Sequence, residues 1–210
     1  MNTNYLKTVL KITGLLIVLQ LLRMGIRYVC FLVIERTELS DRIISLIAMV
    51  LISSFILLTA KLKEVKLSVF PAHFGTGYLV FTVIYAALLI STPILTQSTG
   101  FTGIFLLIYS AVIIPAFEEL IFRGFVWNEL NNISKKEWIT YLLSTLLFAI
   151  WHLGYIDTIS FRVESGLATV MIWKVITGFC FGIVLGALRL KTKNIFSTIL
   201  LHGILNIFGR

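Results

Sequence analysis

Charge is what this chain has least of. Asp, Glu, Lys and Arg make up 13% of its 210 residues, against 58% hydrophobic, and mean hydropathy is +0.97. Soluble domains carry roughly 25% charged residues. A soluble fold is therefore excluded, because a chain of this size has no interior large enough for so much apolar side chain. Cysteine is nearly missing as well. Cys30 and Cys180 stand far apart in apolar surroundings, which rules out a disulfide framework or a thiolate metal cluster and fits small buried residues. Repeats, low-complexity tracts and long linkers are absent. So is a cleavable leader: the first apolar segment, about 8–34, is too long for one and lacks a small-residue cleavage site, so it is expected to remain as an anchor. The formal net charge is +8, yet no basic tract interleaved with polar and aromatic residues lies outside the apolar segments. Nucleic acid is therefore excluded as a partner. The basic residues flank the apolar segments, as topology signals do.

What is there is a series of apolar runs. A spanning helix needs about 20 mostly apolar residues, and seven candidates follow one another: about 8–34, 43–60, 77–95, 103–127, 138–154, 167–189 and 195–209. The second, fifth and seventh are short. The pattern predicts an all-α polytopic membrane bundle of about seven transmembrane helices, with lipid as its surroundings. If every segment spans, Lys7, Lys61, Lys63, Lys66, Lys135, Lys136, Arg189, Lys191 and Lys193 share one side. The opposite side holds Arg36, Arg42 and Arg162, offset by Glu35, Glu38, Asp41, Asp157 and Glu164. The excess of positive charge places the N-terminus in the cytoplasm, with a bacterial plasma membrane as the expected location.

Against this background the stretch PAFEELIFRGF, residues 115–125, stands out. An ionisable residue at the centre of a span costs roughly 2.5–3.5 kcal/mol on insertion scales. Glu119 and Arg123 are four residues apart, so they share a helix face and can pair. Glu118 points about 100° away and has no local partner. Two later segments carry further polar groups: His152 closes FAIWH, and His202 and Asn206 lie on one face in HGILN. His73 sits in a loop and reads as a solvated histidine. Counting helical rise puts Glu118 and His152 roughly 20–24 Å from the lysine-rich ends of their helices and His202 roughly 12 Å from its own. That places a common site nearer the lysine-rich side. A carboxylate and an imidazole at one depth can deprotonate a water, and a second imidazole with an amide can donate to an oxyanion. Each group also has a plainer reading, as a packing ion pair, a core histidine or an interhelical hydrogen bond. Pro115 is expected to kink its helix, free backbone carbonyls and open space beside Glu118. Lys11, Gln20, Arg23, Arg27 and Lys174 are further polar residues in the spans; the lysines and arginines read as snorkelling groups, least comfortably Arg23 and Arg27, for which the alternative is a first helix that is long and tilted or partly interfacial. The stretch after His152 reads as a polar loop, with Trp151 and Tyr155 as interfacial anchors.

Glu-Glu-x-x-x-Arg at 118–123, Phe-x-x-x-His at 148–152 and His-x-x-x-Asn at 202–206, in this order on successive apolar segments, resemble the CPBP family. This is the family of type II CAAX prenyl-protein endopeptidases and bacteriocin-processing or self-immunity proteins, also called Abi. A glycine-containing helix around Phe179, Gly182 and Gly186 matches as well. The resemblance covers about 103–208. It divides the chain into N-terminal helices without a motif (1–100) and a catalytic helical core (101–210). It implies an intramembrane endopeptidase acting on a membrane-associated peptide or protein. Glu118 and His152 would activate water, His202 and Asn206 would hold the oxyanion, and Glu119 and Arg123 would support them. The residues favour a mechanism without a metal cofactor. The alternative is a zinc ion on Glu118, His152 and His202, although His-Glu-x-x-His spacing is missing. The competing function is a non-catalytic bacteriocin self-immunity or membrane scaffold protein.

Overall fold

The computed structural model describes residues 3–62 and 64–209. Lys63, one of the loop lysines above, lies outside the described residues. Those residues form helices and connecting turns, with no strand among them. The seven helices are α1 (Thr3–Phe31), α2 (Glu38–Leu62), α3 (Thr76–Leu95), α4 (Phe101–Ser134), α5 (Glu137–Ser160), α6 (Leu167–Thr192) and α7 (Phe196–Phe208). The first six are long and apolar enough to cross a membrane. The seventh, with 13 residues, reaches about 20 Å and falls short of a hydrocarbon core of about 30 Å. The chain is thus a polytopic helical bundle whose last helix is a partial crossing.

Two boundaries differ from the apolar runs. α2 begins at Glu38 rather than near 43, because its polar first turn is anchored: Asp41 is fully buried against arginines of other elements. α5 continues to Ser160, through a tight turn at His152–Tyr155. The stretch after His152 is therefore helical as far as Ser160 and a loop only over 161–166, and its Asp157 meets Arg23 and Arg27 of α1. Those two arginines do not snorkel. Both side chains are buried. Arg27 donates to Asp157 (2.8 Å), to Asp41 (2.7 Å) and to Ser45 Oγ. Arg189, placed above with the basic residues of the lysine-rich side, is also buried and donates to the carbonyl of Arg123 (3.0 Å).

The core runs along α1, α2, α4 and α5, with Leu16, Met49, Ile52, Phe117, Ile121, Phe122, Phe148 and Trp151 in contact. α5 packs most extensively against α6. Gly182 and Gly186 let them close, since a Cβ at either position would press on Thr145 or Tyr141. α3 lies at the periphery and turns nearly all its apolar surface outward, where lipid is the only fitting solvent. Its buried residue is Tyr85.

α4 is one long helix with two π-helical stretches, Tyr109–Ile113 and Leu120–Val126, on either side of Ile114–Glu119. The first has a visible cause. Pro115 has no N–H to return to the preceding turn, and the neighbouring carbonyls of Ser110 and Ala111 accept from other helices. Asn206 supplies one donor (2.8 Å) and the hydroxyl of Tyr85 the other (2.7 Å). These two carbonyls beside Pro115 thereby bind α7 and α3 to α4. Gly203 permits this approach, because a Cβ there would collide with Tyr85 and the Ala111 carbonyl.

Candidate active site

The pieces of the site come from three helices. Glu118 and Glu119 sit midway along α4, between its two π-helical stretches, where successive residues are rotated away from plain α-helical register. Such insertions are frequent at functional sites. His152 stands at the tight turn in α5. His202 and Asn206 occupy successive turns of α7. Glu118, His152 and His202 are each buried, and all three, with the half-buried Asn206, line a single cavity of about 480 Å³.

The hydrogen bonds fix how each group faces that cavity. His152 Nδ1 lies 2.8 Å from the Phe148 carbonyl. A carbonyl only accepts, so Nδ1 carries the proton and Nε2 of the neutral ring keeps its lone pair. The Phe-x-x-x-His spacing thus serves two ends: its carbonyl sets the tautomer, and the Phe148 ring sits edge-on to both His152 and His202. His202 Nδ1 lies 3.0 Å from Glu119 Oε1, and by the same reasoning donates to it. Glu119 Oε1 also accepts from Arg123 (3.0 Å). The Arg123 guanidinium lies 4.3 Å from the centroid of the Phe148 ring and reaches the Gly182 carbonyl (3.3 Å). Glu119 and Arg123 are fully buried and do not line the cavity; they hold His202 from behind.

Glu118 remains turned to the cavity. Its Oε2 lies 3.7 Å from His202 Nε2, too far for a direct hydrogen bond and suited to a shared water. Its Oε1 accepts a short hydrogen bond, 2.6 Å, from the hydroxyl of Tyr155. Tyr155 is the site residue that sequence reasoning missed. Rather than anchoring at the interface, Trp151 and Tyr155 are both buried. No periodicity could have flagged Tyr155; the only sequence signal was its position three residues after His152.

The turn that holds His152 and Tyr155 is itself held by α1. Gln20 donates to the Trp151 carbonyl (2.9 Å), and Arg23 donates to the Gly154 carbonyl. The Arg23 guanidinium lies 4.5 Å from the centroid of the Tyr155 ring. The carbonyls left over at a break in a helix find donors here, and the donors come from a region without a motif. On the other flank Gly178 of α6 makes room for the His152 ring: a Cβ there would stand 2.6 Å from His152 Nδ1.

The cavity leads from Glu118 toward Arg42 in the second turn of α2, Arg162 just after α5 and Lys174 in α6. This is the end opposite the lysine-rich loops, not the end nearer them as the rise of α7 suggested. The reason lies in where α7 starts. The N–H groups of Ile195 and Phe196 donate to Ser68 and Val69 (3.0 and 2.9 Å), and Leu67 and Ile195 are buried together. The 64–75 loop thus folds over the start of α7, which begins beneath that cover rather than at the rim of the bundle.

As to metal, no group of three or more His, Cys, Asp or Glu side chains among the described residues converges closely enough to hold an ion. The set Glu118, His152 and His202 does not fit zinc in this arrangement.

A family model for Rce1-like type II CAAX prenyl endopeptidases matches residues 99–208, which takes in all of α4 to α7. No curated protein and no solved structure gives a significant match.

Proposed function

We propose that this chain, which belongs to the Rce1-like type II CAAX prenyl endopeptidase family, hydrolyses a peptide bond of a membrane-associated peptide or protein with a water activated by Glu118 and His152. Family membership supports intramembrane endopeptidase activity in general. The observation that carries the finer reading is the convergence of Glu118, His152, His202 and Asn206 on one cavity. Tyr155 occupies Glu118 Oε1, which leaves Oε2 as the basic oxygen. Oε2 accepts a proton from water while the water oxygen bonds to the substrate carbonyl carbon. The lone pair of His152 Nε2 helps to orient that water. The resulting oxyanion takes the Asn206 N–H not used on Ser110 and is faced by the His202 ring, which Glu119 holds in place. On collapse the C–N bond breaks, and the proton held on Glu118 passes to the departing amine. Glu119 and Arg123 act through His202 and do not touch substrate. No step needs a metal. With the lysine-rich loops and the N-terminus in the cytoplasm of a bacterial cell, the cavity opens toward the outer leaflet.

The test is cleavage of membrane-tethered peptides by purified protein in detergent, comparing wild type with Glu118→Gln and His152→Ala, with and without a zinc chelator. Loss of a general base is expected to slow cleavage by about 10²–10⁴-fold, with unchanged thermal unfolding and no effect of the chelator. Wild-type rates in both variants would sink the assignment. A wild type that cuts nothing yet protects cells from a bacteriocin would favour the self-immunity or scaffold reading.

A further inference from the structure

The catalytic cavity has a second, cationic end whose charges are not consumed within the protein. Arg42, Arg162 and Lys174 line it, and among the described residues Glu118 is the one acidic group on its walls. Arg162 donates to Asp41 (2.6 Å). Asp41, however, is shared with Arg27 and Arg36, and Arg23 and Arg27 also draw on Asp157. Four arginines therefore divide two aspartates, and positive charge is left over beside the cavity. Arg42 is poorer still in partners. Its nearest carboxylate is the exposed Glu38, 3.7 Å away, and its Nε is buried with no hydrogen-bond partner. Among the described residues no ion pair is recorded for Lys174. A snorkelling arginine would carry its guanidinium outward to water and headgroups. Arg42 instead turns into the bundle, with its guanidinium 5.6 Å from the centroid of the Tyr109 ring.

We infer that Arg42 and Lys174, backed by Arg162, form a subsite that takes a carboxylate of the peptide substrate close to the scissile bond. The inference rests on the endopeptidase reading of the same cavity. A guanidinium with a free, buried N–H gains a charge-assisted hydrogen bond from a carboxylate, and a cationic cavity with low-dielectric walls concentrates anions. The carboxylate could be an acidic side chain or a chain terminus, and both present the same chemistry. The subsite would position substrates by charge at one end while the carbonyl to be attacked lies beside Glu118 at the other.

The experiment uses four labelled peptides, alike except for Asp or Asn at one position and an acid or amide terminus. Binding is measured by anisotropy to full-length Glu118→Gln protein in neutral detergent, and cleavage by wild type in parallel. At least one carboxylate is expected to tighten binding by about tenfold, to lose that advantage at high salt, and to lose most of it in Arg42→Gln and in Lys174→Gln. The side-chain and terminus arms identify which carboxylate is read. Lys174 is exposed, so its variant remains informative if Arg42→Gln fails to fold. Equal binding of all four peptides, or a preference that survives both substitutions, overturns the subsite. Displacement of every peptide by phosphatidylglycerol micelles, but not by zwitterionic ones, would assign the cations to a lipid phosphate and overturn it too. Carboxylate-dependent binding without any cleavage would leave the subsite standing and remove the proteolytic reading instead.

Discussion

Two clusters of buried charge stand side by side in this membrane protein, and they do opposite things. In the first, Arg23, Arg27, Asp41 and Asp157 join α1, α2 and the end of α5. In the second, Glu118, Glu119, Arg123 and His202 join α4 to α7. Both defy the cost of charge in lipid. The difference lies in what is left over. Both oxygens of Asp41 and of Asp157 accept from arginines. In the second cluster Glu119 gives one oxygen to both Arg123 and His202 and keeps the other walled off from the cavity, while Glu118 keeps an oxygen facing it. Burial of charge in a membrane is therefore a poor sign of catalysis by itself. A carboxylate oriented by a neighbour and left with an unspent oxygen on a cavity wall is a better one.

That contrast can be broken from either side. The largest effect is expected from Asp41→Asn, which leaves Arg27, Arg36 and Arg162 without their shared carboxylate. Removing one partner of a buried pair costs about 3–5 kcal/mol, so detergent-extracted yield and thermal unfolding should collapse whether or not a substrate is present. A variant that accumulates and melts like wild type would show the first cluster to be dispensable. Gly178→Ala comes next. Its new methyl displaces the His152 ring, and misplacement of a reacting group by about 1 Å can cost about 100-fold in rate. Peptide cleavage should fall by that order while the melting temperature moves little; unchanged cleavage would mean that His152 need not stay where it is. The mildest is Tyr155→Phe. It removes one hydrogen bond to a charged group, worth about 1.5–3 kcal/mol, and should lower kcat about tenfold or more with KM nearly constant. A change confined to KM would move Tyr155 from orienting Glu118 to binding substrate.

Most of the helices were legible from apolar runs alone, because lipid forces every backbone polar group into helical pairing. The failures cluster where polar side chains extend a helix beyond its apolar run. The first turn of α2 and the last turns of α5 look like loops until Asp41 and Asp157 are seen with their arginines. The site was legible as a set of residue types at helical spacings, and the structure brings Glu118, His152, His202 and Asn206 to one cavity. Their catalytic roles await the cleavage test above. Tyr155 was not legible, since an aromatic residue near a span end has a common and sufficient explanation at the interface. Its role depends on α5 packing against α4, which no local pattern encodes. The direction of the cavity was misjudged for a similar reason. The depth of α7 depends on a loop more than a hundred residues earlier in the chain, and counting rise from the nearest lysines could not anticipate that cover.

The tie between α1 and the turn at His152 also bears on how the protein is made. Arg23 and Arg27 enter the membrane with α1, ahead of α2 to α7, at roughly 2.5–3.5 kcal/mol each for a lone helix. Asp41 follows within a few residues of α1, but Asp157 and the Gly154 carbonyl arrive only with the fifth helix. Until then α1 is a poor lipid-soluble segment, held by whatever the insertion machinery offers in place of its missing partners. Biogenesis should therefore pause in a partly inserted state that resolves when α5 emerges, and nascent chains of increasing length, probed for accessibility of α1, would time that moment. A helix made ahead of α2 to α5 would thus come to rest only after all four had followed it.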